Sequence, residues 1–338
     1  MSVRQLVDPS HIESKLRDIW EELAKENKMR ASLFNLIVYN QLGTRTDYIQ
    51  HIIERVIEKF PCRILFIASD PEATHSYLKA AVSVVLAQGK ESAVACDHID
   101  IGATKETLAQ VPFLILPHIL PDLPITLLWT EDPSQENPLF EPLAKLATRI
   151  IFDSESAGKL SQFAQTLLHL NKQGKAIADL SWAHIHGWRS LLASTFDSEE
   201  RVKELQAMSS VRIVYNDRQS PFFCHRNIQA LYLSTWLQTR LGWQKKKIDI
   251  TTEAWENLGS GTILEIRISS TEGHTMIARR IPEQPHRVNV EIASAERCDL
   301  PYQFLLGETA SGQSLVQEIT APSTSQHFIE MLCSLNGI

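Results

Sequence analysis

The sequence predicts two domains of different class: an α/β N-terminal half, Rossmann-like with a mixed or mostly parallel sheet, then an α+β C-terminal half with an antiparallel sheet. Three observations predict this. In the first half, continuous apolar runs such as 64–68 (ILFIA) alternate with amphipathic helical patterns, as they do when strands are covered on both faces. In the second, Leu264, Ile266 and Ile268 alternate with Glu265 and Arg267, and Val288, Val290 and Ile292 with Asn289 and Glu291. That period belongs to half-buried antiparallel strands. The polar stretch 171–175 (NKQGK) reads as a linker, giving an α/β domain over 1–174 and an α+β domain over 175–338. A chain of 338 residues can give each a sizeable core.

Taken in order, Asp8 and Pro9 open the first helix as N-cap and first-turn proline. Ile12, Leu16, Ile19, Trp20 and Leu23 then share one face. Residues 33–39 read as a strand. Ile49, Ile52, Ile53, Val56, Ile57 and Phe60 form the clearest amphipathic helix of the chain, with Asp47 in its first turn and Pro61 at its stop. The run 64–68 follows, so strand, helix and strand read as a right-handed parallel unit. Residues 78–87 and 92–101 fit two strands, or a helix and a strand. Runs 113–116, 125–129 and 150–152 read as short strands, and 139–147 and 156–170 as helices. In the second half, helix 227–241 places Ala230, Leu233, Leu237 and Leu241 on one stripe, with Gly242 as its C-cap. Helix 325–335 closes the chain.

Composition narrows the function. A net charge of −7 argues against nucleic acid, and the basic run 245–247 reads as a solvated turn. The first twenty residues lack the apolar core of a signal peptide, and no apolar run approaches the roughly 20 residues of a membrane span. Five scattered cysteines without a C-x-x-C pattern suit a reducing cytoplasm. A cytoplasmic protein is therefore expected.

Catalytic signatures are scarce. No G-x-G-x-x-G or Walker pattern occurs among the glycines, and Gly259-Ser260-Gly261 reads as a turn. His184-Ile185-His186 and Asp97-His98-Ile99-Asp100 have metal-ligand types but not convergent spacing, and both read as polar surface. No nucleophile elbow is present, and Glu199-Glu200 suits a helix N-terminus. No metal and no cofactor are expected.

Four of the seven tryptophans, Trp182, Trp188, Trp236 and Trp243, fall within 179–197 and 231–243, together with Arg189 and Arg240. They either pack the junction between the halves, pinned by arginines, or form a partner-binding surface, where Trp and Arg concentrate. These six are the partner-binding candidates.

Several runs, in order, resemble the glucose-6-phosphate dehydrogenase assembly protein family, OpcA. They are RASLFNLIVYN (30–40), FPCRILFIASDP (60–71), LPDLPITLLWTEDP (120–133), RIIFDSES (149–156), DLSWAHIHGWRSLLASTFD (179–197) and TWLQTRLGW (235–243). This chain departs from the family pattern in having Ser181, Gly187, Leu128 and Phe60 where Asn, Pro, Trp and His are common. The resemblance implies a non-catalytic partner of glucose-6-phosphate dehydrogenase that promotes its active oligomer. It supplies no catalytic residues. The alternative is a sugar-phosphate enzyme of lactonase or isomerase type, whose anion site Arg30, Arg63 and Arg149, all beside strands, could supply.

Overall fold

The computed structural model describes residues 4–43, 45–86, 94–219, 226–243, 248–271, 273–293, 299–306, 311–321 and 323–336. The chain forms two compact units. The first comprises Met1–Asp153, His169–Asp179 and Leu315–Ser323, and the second Ser154–Leu168, Leu180–Ser314 and Thr324–Ile338.

Among the described residues, nine strands make the sheet of the first unit: Gln5–Val7 (β1), Met29–Arg30 (β2), Asn35–Gln41 (β3), Arg63–Asp70 (β4), Leu78–Leu86 (β5), Val94–Thr104 (β6), Ile125–Trp129 (β7), Arg149–Phe152 (β8) and Ala176–Asp179 (β9). Their order is β1-β5-β6-β4-β3-β7-β8-β9, with β2 also on β6. All neighbours from β6 to β9 are parallel, whereas β5 is antiparallel to β6 and β1 to β5. From β3 the chain steps outward to β4 and β6, then in the other direction to β7, β8 and β9. This is the doubly wound order, and such folds bind ligands at the carboxyl edge where the order reverses. Here that edge lies between β3 and β7.

The helices associated with this part of the chain are Ile12–Lys25 (α1), Thr46–Lys59 (α2), Val111–Ile115 (α3), Phe140–Leu146 (α4) and Leu160–Lys172 (α5). α2 buries Ile49, Ile52, Ile53, Val56 and Ile57, the stripe that the sequence marks. It ends because Phe60, held extended before Pro61, cannot continue a helical turn. Two readings need correction. Residues 113–116 lie in and beside α3 rather than in a strand; Pro112 suits a first helical turn, and so short an apolar run cannot separate the two periods. Asp97 and Asp100 are buried on β6, not at the surface.

The second unit contains helices Leu180–His184 (α6), His186–Thr195 (α7), Glu199–Ala207 (α8), Ile228–Leu241 (α9) and Gln326–Asn336 (α11), and the start of Ser311–Thr320 (α10). Its sheet consists of Ser210–Asn216 (β10), Ile248–Glu253 (β11), Ile263–Ser269 (β12), Thr275–Ile281 (β13), Gln284–Ala293 (β14) and Tyr302–Leu305 (β15), ordered β11-β10-β12-β13-β14-β15. Every pair is antiparallel except β10 with β11. Ile266, Ile268, Met276, Ala278, Val288 and Val290 are fully buried, while Arg267 and Glu291 are exposed; Glu265 departs from the alternation, being buried with Arg279 donating to it. Gly261 makes its turn at φ +78°, and its N–H donates to the Asn216 carbonyl. The basic run 245–247 lies outside the described residues.

Candidate functional site

The carboxyl edge between β3 and β7 is where this fold would seat a dinucleotide. Such a seat needs closely spaced glycines, so that backbone amides can approach a pyrophosphate. The turn from β3 into α2 has only Gly43 within Asn40–Arg45, and its N–H is spent on the Thr46 hydroxyl at 3.1 Å. Around it stand carboxylates. Asp153, beyond β8, accepts from Arg45 at 2.5 Å, and Glu131, beyond β7, accepts from the Gln41 N–H at 3.2 Å. Burial raises the Glu131 pKa; the Gln41 N–H and Arg45 pull it down, while Asp153 and Asp132 add to the rise. Asp70, at the end of β4, accepts from the Tyr77 hydroxyl at 2.7 Å. Tyr39 and Trp129 stack with ring centroids 4.2 Å apart, and Asn137 donates to the Tyr39 hydroxyl at 2.7 Å. Carboxylates therefore line the edge. They do not fit a dinucleotide, whose phosphates would meet carboxylates.

The three arginines singled out as anion ligands do not form one site. Arg30 and Arg63 meet at Asp97, whose Oδ2 accepts from Arg30 at 2.5 Å and from Arg63 at 3.1 Å, while its Oδ1 accepts from Trp20 at 2.7 Å. Arg63 is 2% exposed and also donates to the His118 carbonyl and to Glu13. Arg149 is elsewhere, paired with Glu318 at 2.9 Å. All three are thus engaged with carboxylates of the chain.

The tryptophan-rich segments lie in the second unit. Trp182, Trp188 and Trp243 are buried, at 2%, 1% and 5% exposure. Arg189 lies over the Trp182 ring at 3.5 Å and donates to the Trp182 carbonyl, and Phe328 of α11 packs on the same ring system. Arg280, which sequence reasoning missed, is buried near Trp188, 5.6 Å from its ring. Burial depresses its pKa to about 10, and carbonyls of Ile263 and Pro285 accept its N–H groups. On β13 the inward row is Met276, Ala278 and Arg280, so a charge stands where alternation would place an apolar residue and the strand is not marked by its period. Trp236 is half-buried, and exposed Arg240 pairs with Glu330 at 3.5 Å. Of the six candidates, Arg240 is exposed and Trp236 and Arg189 are half-buried.

Cys62 and Cys96, far apart in sequence, are neighbours across β4 and β6, the Cys62 backbone N–H pointing to the Cys96 thiol. Burial pushes Cys62 well up and Cys96 up to about 11, so both are poor nucleophiles at neutral pH.

Fold and site define a two-unit chain whose doubly wound first sheet carries carboxylates at its carboxyl edge. Among solved structures it is similar to a 3-ketoreductase from Actinomadura kijaniata in complex with NADP, with TM-score 0.52, 8% identity, 90% of this chain and 94% of that one covered. It is also similar to a putative NADPH-dependent oxidoreductase from Desulfitobacterium hafniense, with TM-score 0.52, 11% identity and 91% and 93% covered. At such identity the likeness shows the fold alone. In sequence, residues 54–171 match the glucose-6-phosphate dehydrogenase subunit N-terminal domain, and 175–332 the C-terminal domain of the same subunit. The chain belongs to this OpcA family. A putative OxPP cycle protein OpcA from Nostoc punctiforme is 28% identical over 196 residues, covering 57% of this chain and 40% of the relative. The namesake from Synechococcus elongatus is 28% identical over 187 residues, covering 54% and 40%. The matched region thus spans two fifths of these relatives' length.

Proposed function

We propose that the chain is a non-catalytic assembly factor and allosteric activator, binding glucose-6-phosphate dehydrogenase and favouring its active oligomer. Family membership supports the partner. The observation that carries the non-catalytic part is the acidic carboxyl edge between β3 and β7, with Arg45 drawn onto Asp153. The physical route is population shift: a protein that binds the active oligomer more tightly than the inactive form moves the equilibrium by that difference. The proposal places the chain in the cytoplasm; among the described residues, no helix is long and apolar enough to cross a membrane. It keeps the division at 174/175, which the meeting of the two family matches supports. It also puts Trp236 and Arg240 in contact with the partner, with Trp182, Trp188, Arg189 and Trp243 shaping that surface from beneath.

The test is titration of the purified chain into the dehydrogenase of the same source, following turnover and sedimentation together. A rise in activity with a shift to the larger oligomer is expected. Unchanged turnover and unchanged size at micromolar excess would reject the proposal.

A further inference from the structure

A cavity of about 310 Å³ lies in the first unit between α2 and the strands β5 and β6. Topology explains it. In a doubly wound sheet the link from β4 to β6 is a helix on the same face as its neighbour α2. Here the chain passes instead to β5, and the described residues between β4 and β6 contain no helix. The seat beside α2 is left as a hollow of the size that holds small molecules.

Its walls are chemically divided. Ile53 and Ile57 of α2 and Val85 of β5 are apolar, while Glu54 and Asp100 set two carboxylates against one guanidinium, that of Arg4. The Asp100 side chain is only 9% exposed and lies 3.1 Å from Arg4, whose own side chain is 63% exposed. A carboxylate this buried requires a cation, and the chain supplies one on a residue mostly in solvent. His98 is held toward its neutral form. Burial depresses its pKa, Asp100 opposes this and Arg4 reinforces it. Its Nε2, 3.6 Å from Asp100, makes no hydrogen bond.

We propose that this cavity binds a small organic cation, an ammonium or guanidinium on an apolar body, and that Arg4 occupies the cation subsite until such a ligand displaces it. The apolar body lies against Ile53, Ile57 and Val85, and the cation replaces Arg4 on Asp100. A sugar phosphate is disfavoured, because the carboxylates outnumber the guanidinium. The inference is independent of the dehydrogenase reading.

Isothermal titration of the full chain with phenethylamine and with 3-phenylpropionate, which carry the same ring on opposite charges, tests it. The amine should bind, the carboxylate should bind at least about tenfold more weakly, and Arg4→Ala should tighten the amine by about threefold or more as competition is removed. Asp100→Asn should abolish the preference for the amine. Asp100 is buried, so Val85→Trp, at a half-buried edge position, is the second variant; it fills the cavity and should abolish binding with the melting temperature retained. Equal or tighter binding of the carboxylate overturns the proposal. So does failure of the amine to bind Arg4→Ala, or amine binding that survives Val85→Trp.

Discussion

At the scale of single residues, the first unit depends on one buried carboxylate. Asp97 is fully buried, and Trp20, Arg30 and Arg63 converge on it. Arg63 also reaches Glu13 of α1, and His118 lies 2.9 Å from the same carboxyl. Burial alone would raise the Glu13 pKa, but the hydrogen bonds from His118 and Arg63 outweigh it and hold the group at about 2 rather than the usual 4.5. The sign follows from linkage: the stabilisation is fully present above pH 4.5 and is lost as pH falls through 2. The Glu13 side chain is 43% exposed, so solvent screens the effect, leaving about 1 kcal/mol or less. Glu13→Gln should therefore melt a few degrees lower at pH 7, with the gap to the unaltered chain closing on acidification. A gap that stays constant from neutral pH down to pH 2 would contradict this pairing.

At the scale of elements, α7 is placed by a close approach. A Cβ added at Gly187 would collide with the Leu306 carbonyl oxygen, just beyond β15. Backbone atoms cannot retreat as the end of a flexible side chain can, so Gly187→Ala should cost about 1–3 kcal/mol. Urea unfolding followed by tryptophan fluorescence measures it, and an unchanged midpoint would mean that α7 and β15 separate freely. The helix pair α6 and α7 shows how Trp182 acts in packing. Arg189 stacks on Trp182 and bonds its carbonyl, so one side chain closes the step between α6 and α7. Arg149 similarly ties β8 to Glu318 of α10.

At the scale of the whole molecule, a doubly wound sheet stands without the glycine-rich turn that binds a dinucleotide. Carboxylates at the ends of β4, β7 and β8 repel phosphates, and the single glycine after β3 gives no amide cradle. NADP and NADPH at millimolar concentration should therefore leave the melting temperature unchanged. An upward shift of several degrees, the linkage signature of a ligand far above its Kd, would restore a dinucleotide-dependent reading.

Much of this was legible in the chain itself. The α2 stripe, the run in β4 and the alternation of β12 and β14 follow from periodicity, because a face that must be buried repeats with its element. The family was also legible, since its short runs persist in order. Legibility failed where the deciding partner is distant in sequence. β9 is a short apolar run just after the polar stretch, and it is a strand only because β8 lies beside it. Asp97 and Asp100 read as surface because their arginine partners stand 67, 34 and 96 positions away. The three candidate arginines looked like free cations until their carboxylates were placed. The sequence by itself determined the classes of the two halves and the family, because local period and ordered motifs carry both. Only the tertiary structure decided which charges are neutralised and which face of the sheet stays open, because both depend on contacts between residues far apart in the chain.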